Sequence, residues 1–406
     1  MIRQDEIALV IDSQKDTFLK QDSGFTRDTL ANIPVANSFA TIITGIRRCG
    51  KSTLLLQLLR RDYQDAIYLN FDDIRLSGFE TADFTRLHKE IEKREVNVLF
   101  FDEIQTIEGW EKYVNQLLRE SYNVFVTGSN ASMLSIELGT HLTGRHLSME
   151  LFPFSYSEFI QFKKLPNGES AVMDYLKTGG IPEYVKTGIP VVLNTLVDDI
   201  LLRDIVVRHS VRDVNSLRQL TTFLMTNIGN LVSANKLVGM FDTKSPATFL
   251  EYFSFLKDAY LLDFIPIFSH SLKVQARNPK KVYVMDMGIY TENSLSTSDN
   301  TGRRLENLIF LQLRKKYKHI FYFKDKGECD FIAMEKNSVK EAIQVCLTVD
   351  NENFNREYNG LLEAMQNLNL KEGSIVTLNQ SDIFKKDDMV IRIIPAHIFI
   401  EDIENS

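Results

Sequence analysis

The segment Gly45-Ile46-Arg47-Arg48-Cys49-Gly50-Lys51-Ser52-Thr53 satisfies the spacing G-x-x-x-x-G-K-[ST], and its residue types suit the capture of a polyphosphate. Gly45 and Gly50 let the backbone wrap tightly, so that amides from Arg48 through Cys49 to Thr53 point inward at an anion. Lys51 would reach the β and γ phosphates, and the Ser52 hydroxyl would coordinate the magnesium ion they share. Further along, Asp102 and Glu103 supply adjacent carboxylates. Asp102 would hold the magnesium through its water shell, and Glu103 would orient and deprotonate an attacking water. Asn130, in Gly128-Ser129-Asn130, would contact the γ phosphate or that water, and a simple Asx turn is the alternative reading.

Three short strands must position these groups. Residues 39–44 (FATIIT) read as a buried strand feeding the glycine loop, and LLLQLLRR behind it reads as a helix whose positive end faces the anion. Residues 96–101 (VNVLFF) form a second apolar run that ends at the two carboxylates, and residues 123–127 (NVFVT) form a third. Ligands of α/β sheets bind at the carboxyl ends of such strands. The fold class is therefore α/β, with a parallel sheet at its centre.

The pattern resembles the AAA-type P-loop ATPases of bacteria and archaea that carry a C-terminal domain of unknown function. The resemblance rests on ITGIRRCGKSTLL, VLFFDEIQ, VTGSN, the segment Leu142 to Phe159 (LTGRHLSMELFPFSYSEF), and Tyr175 to Val185 (YLKTGGIPEYV). It implies ATP as the nucleotide, because no residue here reads a base. It implies an extra strand between the phosphate-loop strand and the Asp-Glu strand, supplied by residues 66–70 (AIYLN). It also makes Arg145 an arginine finger or sensor, acting on its own site or on a neighbour's.

At roughly 150 residues per domain, 406 residues predict two or three domains. The patterning suggests four parts: a P-loop domain over 1–160, a helical lid or connector over 161–230, a winged-helix-like part over 231–297 and a final part over 298–406. In the third part, SANKLVGMF, a break at Asp242 to Pro246 and ATFLEYFSFLKDAYLL give helix-turn-helix spacing, followed by two strand-like runs. Between Arg203 and Tyr290 there are 11 Lys and Arg against 7 Asp and Glu, a local excess suited to phosphate backbones, although the second helix offers few basic side chains, Lys244 and Lys257. The order of elements in the last part resembles the PD-(D/E)xK nuclease fold. An active member would hold metal with Glu306, Asp330 and an acid on the third strand, followed two residues later by a lysine. Here Gln344 and Cys346 occupy those two positions, so the module reads as degenerate and used for binding or docking.

Hydrophobic residues make up 44% and charged residues 25%, an ordinary globular balance that excludes wholesale disorder. A net charge of -7 argues against a wholly basic nucleic-acid binder. The absence of an 18-residue apolar run, a start without a signal peptide's apolar segment, and three cysteines without ligand spacing predict a cytoplasmic protein with no membrane partner. The leading expectation is a magnesium-dependent ATPase that couples nucleotide state to a C-terminal module binding DNA or protein, as a monomer or an oligomer. Its rivals are a slowly hydrolysing switch that binds a protein partner and an ATP-gated nuclease.

Overall fold

The structure is a computed structural model and describes residues 1–131, 142, 144–241, 243, 245–296 and 300–405. Asp242, Thr143 and Lys244, which belong to the expected helix-turn-helix break and to the segment before Arg145, lie outside the described residues. The chain divides into two units, one of Met1–Pro153 with Asp258–Tyr260 and one of Phe154–Lys257 with Leu261–Ser406.

In the first unit the central strands are apolar over most of their length, as strands covered on both faces must be. Strand β1 (Ala40–Thr44, ATIIT) is fully buried, and β3 (Val98–Asp102) and β4 (Asn123–Gly128) are nearly so. With β2 (Ile67–Asn70) and β5 (His146–Glu150) they form a parallel sheet in the order β2-β3-β4-β1-β5. The strand lying between β1 and β3 is therefore β4, and residues 66–70 form the outer edge instead of the expected inner position. Helix α1 (Gln4–Lys20) explains how that edge is tolerated: the Gln14 amide donates to the Asn70 carbonyl at 3.0 Å and accepts from the Asn70 N–H at 2.7 Å. Helices α2 (Lys51–Asp62), α3 (Phe84–Lys93) and α4 (Trp110–Arg119) complete the unit. Leu87, Ile91, Trp110 and Val114 join strand residues Ile42, Leu99 and Val126 in one core.

The second unit opens with helices α5 (Tyr156–Lys163), α6 (Glu169–Thr178), α7 (Pro182–Thr187) and α8 (Val191–Asp199). The last continues into a π-helical stretch over Ile200–Val207, inside the run expected to be helical. Then come α9 (Val214–Thr226), β6 (Leu231–Val232), α10 (Ala234–Leu237), α11 (Pro246–Asp258), β7 (Leu262–Ile265), α12 (Leu272–Arg277) and β8 (Lys280–Val284). The three strands make an antiparallel sheet, β6-β8-β7. Helix α13 (Met287–Asn293) is capped by Asp286, which is buried and also accepts from the Gly180 N–H at 2.7 Å. Burial pushes that carboxyl up to about 6, against the backbone hydrogen bonds it receives. The glycine pair of YLKTGGIPEYV thus has a packing reason. A Cβ on Gly180 would stand 2.3 Å from the Phe154 carbonyl oxygen.

The remainder of this unit runs through α14 (Thr301–Lys316), β9 (His319–Lys324), β10 (Glu328–Glu335), β11 (Ser338–Val345), α15 (Phe354–Leu368), β12 (Glu372–Thr377), β13 (Asp382–Lys386), β14 (Met389–Pro395) and α16 (Ala396–Glu404). Its sheet has the order β13-β14-β12-β11-β10-β9, parallel from β11 through β12 to β14 and antiparallel elsewhere. Leu361 and Met365 of α15 pack on Ile332, Ile375 and Ile391.

Candidate functional site

The register of the first sheet brings the expected groups to one edge. Ile43 of β1 pairs with Thr127 of β4, and Phe101 of β3 pairs with Val126, so the chain leaves all three strands at the same level. With strands about 4.8 Å apart, the phosphate loop and the two carboxylates face each other across roughly 10 Å of sheet edge.

The loop turns through three residues with positive φ, Gly45 at +145°, Arg48 at +63° and Gly50 at +102°. Gly45 has a second constraint. Leu151, just past β5, donates its N–H to the Thr44 carbonyl at 2.7 Å, and a Cβ on Gly45 would lie 2.1 Å from the Leu151 carbonyl oxygen. Gly50 sits at the start of α2, and the Leu54 N–H returns to its carbonyl at 2.9 Å, so the helix opens directly behind the loop. The Lys51 ammonium lies inside the curl, donating to the carbonyls of Gly45 at 2.9 Å and Ile46 at 3.2 Å. Cys49 is buried, and burial pushes its thiol above the ordinary range, so it serves the loop through its backbone. Ser52 and Thr53 are half-buried at the first turn of α2.

Across the edge, Asp102 is fully buried and both its oxygens are engaged: the Tyr68 hydroxyl donates to Oδ2 at 2.8 Å and the Thr127 hydroxyl donates to Oδ1. Thr127 also accepts the Glu103 N–H at 3.1 Å, so one hydroxyl fixes both acids. Glu103 has φ +55°, a left-handed conformation unusual for a residue with a Cβ, and the Gln105 amide donates to its carboxylate. Burial raises the Glu103 carboxyl above the ordinary glutamate range; the Lys51 ammonium opposes the rise and Asp102 adds to it. Lys51 and Arg47 both act on Glu103, which ties the loop and the acids into one electrostatic site. Asn130 and Ser129 follow β4 at this same edge and are buried.

Arg145 is not brought here. Its carbonyl accepts the Ala40 N–H at 3.1 Å, which fixes it at the start of β1, some 13 Å of strand from the loop, and its side chain is exposed. Sequence reasoning missed Tyr68, Thr127, Gln105 and Arg27. Buried Arg27 donates to the carbonyls of Cys49 at 2.9 Å and Phe152 at 2.8 Å, bracing the loop from beneath. A polar residue inside each of the apolar strands AIYLN and NVFVT was a usable signal for Tyr68 and Thr127. Nothing near Arg27 in sequence marks it.

Residues 37–160 match a family described as an AAA domain, and residues 169–300 match one described as a domain of unknown function, DUF8612. Among solved structures, a signal transduction ATPase with numerous domains from Pyrococcus horikoshii is similar at 14% identity, covering 71% of this chain and 45% of that one, with a TM-score of 0.27. Cdc6p from Pyrobaculum aerophilum is similar at 10% identity, covering 61% and 83%, with a TM-score of 0.26. Scores this low establish no common fold. The sequence relatives reach further. An uncharacterized protein of Haemophilus influenzae is 32% identical over 327 residues, 74% of this chain and 81% of that protein. The uncharacterized protein MJ1544 of Methanocaldococcus jannaschii is 34% identical over 373 residues, 84% of this chain and 82% of that protein. The chain thus belongs to the family of MJ1544, and the candidate site lies in the part that matches an AAA domain, ahead of the part that matches a domain of unknown function.

Proposed function

We propose that the chain binds ATP with magnesium, hydrolyses it, and uses the nucleotide state to control its second unit as a binding module. One observation carries this reading: the loop that holds Lys51 and the strand that ends in Asp102 and Glu103 leave the parallel sheet at the same edge, with one strand between them. The residues present fit the nucleotide. The inward amides and the Lys51 ammonium would hold the phosphates, while Ser52 and Asp102 would hold magnesium, which when bound neutralises charge on the β and γ phosphates. Glu103 takes the proton of the attacking water, and the burial that raises its affinity for protons above the ordinary glutamate range makes it a stronger base for that task. Asn130 positions that water or the γ phosphate.

The placement of Arg145 favours a second reading. A chain whose arginine stands away from its own loop is a slow hydrolase alone, a switch whose finger serves a neighbouring copy. In the second unit, the order α9, β6, α10, α11, β7, α12, β8 supports the winged-helix reading, with α12 inserted between the last two strands. Its basic excess is partly spent internally, since Lys257 pairs with Asp263 at 2.7 Å and Lys281 is buried. Leu231, Val238, Met240, Leu250 and Leu272 are exposed within residues 231–272, on these elements and the connections between them, which favours a protein partner over DNA.

Titration with a fluorescent ATP analogue tests the binding claim. Lys51→Ala should weaken affinity by about ten- to a hundredfold, the worth of one or two charge-assisted hydrogen bonds. Equal affinity in a folded variant would refute the site.

A further inference from the structure

The second unit holds a cluster of acids with a cation already inside it. Glu306 on α14, Asp330 on β10 and Gln344 on β11 meet at a cavity of about 640 Å³, which Cys346 does not line. The residue at the centre is Lys281 of β8, only 3% exposed. Its ammonium stands 2.7 Å from Asp330 Oδ1, 3.2 Å from Glu306 Oε1 and 3.2 Å from Glu328 Oε1. An ammonium has three N–H bonds, and each has a carboxylate to meet.

The surrounding bonds leave the acids committed. Tyr283, two residues along β8, donates its hydroxyl to Glu306 Oε1 at 2.7 Å. Asp330 Oδ2 accepts the Val345 N–H at 2.9 Å. Gln344, standing where an active nuclease has an acid, accepts the Asp330 N–H at 3.1 Å and donates to Glu357 at 2.6 Å. A divalent ion would have to sit beside a buried positive charge, with the Gln344 amide at the position where an active nuclease has its third acid. The residues present do not fit a metal.

We infer that Lys281 is a built-in replacement for the metal of this centre, a permanent internal cation that closes the acids to divalent ions and joins the three-stranded sheet to the six-stranded one. Burial pulls the lysine down, but Asp330 and Glu306 outweigh it and hold the ammonium well above the ordinary range, so it stays charged. This inference is independent of the ATP site and extends to a module whose role the nucleotide reading leaves open.

Manganese titration of the full chain without nucleotide, followed by the electron paramagnetic resonance of the free ion, tests it. Wild type and Asp330→Asn should take up Mn2+ identically. Lys281→Met, which keeps the apolar stem, should gain one site at least tenfold tighter, lost again in the Lys281→Met/Asp330→Asn double variant. A wild-type site abolished by Asp330→Asn, or a folded Lys281→Met with no added site, would overturn the inference. If Lys281→Met does not fold, wild type against Glu306→Gln decides: identical isotherms support the replacement, and a site lost in Glu306→Gln refutes it.

Discussion

Thr127 shows how much of this site depends on single side chains outside the recognised motif. Its hydroxyl donates to Asp102 and accepts from the Glu103 backbone, so the acid that would hold the metal and the acid that would take the proton are set by one group. Glu103 is where the chemistry becomes measurable. Burial raises its affinity for protons, and the Gln105 amide, by favouring the ionised carboxylate, lowers it. A general base works only when ionised, so hydrolysis must fall as pH drops through this raised value. The acid limb of the pH profile of kcat is expected above the usual glutamate range, and Gln105→Leu should move it higher still. An acid limb in the ordinary carboxylate range, unmoved in Gln105→Leu, would separate Glu103 from the proton transfer.

At the scale of elements, two close approaches depend on glycine, one at the end of a strand and one between helices. Gly45 lets Leu151 cross the end of β1, and Gly180 lets the start of α7 lie against Phe154. Gly45→Ala and Gly180→Ala should each destabilise the chain by about 2–4 kcal/mol, because backbone atoms and not flexible side chains would have to give way. Gly302→Ala, in α14 with nothing near its added Cβ, should instead be neutral or gain up to about 1 kcal/mol. Urea unfolding followed by circular dichroism checks the contrast, and three equal midpoints would contradict it. The elements were largely legible in sequence because parallel strands buried on both faces read as unbroken apolar runs: ATIIT, VLFFD and NVFVT needed no partner to be recognised. Strand order was less legible. Residues 66–70 are apolar whether they lie inside the sheet or at its edge, and only the Gln14 amide on Asn70, fifty-six residues away in sequence, distinguishes the two.

On the scale of the whole molecule, sequence identified chemistry where the responsible groups fall in a spaced motif or at the end of an apolar strand, and missed the side chains that brace those groups from outside the motif. Lys51 and Ser52 share a loop with the glycines that shape it. Arg27 and Lys281 are charges outside any motif, and their meaning comes only from folding, one braced beneath Cys49 and the other enclosed by Glu306, Glu328 and Asp330. Among the described residues, no helix is long and apolar enough to cross a membrane. The two units then divide the labour proposed here, with nucleotide chemistry in the first and partner binding in the second. The most direct measurement is steady-state phosphate release from ATP and magnesium by the full chain, in wild type and in Glu103→Gln, with nucleotide binding followed in the same samples. Glu103→Gln should bind ATP as the wild type does while releasing phosphate at least about a hundredfold more slowly, the usual contribution of a positioned base. Undiminished release by the variant would contradict the account.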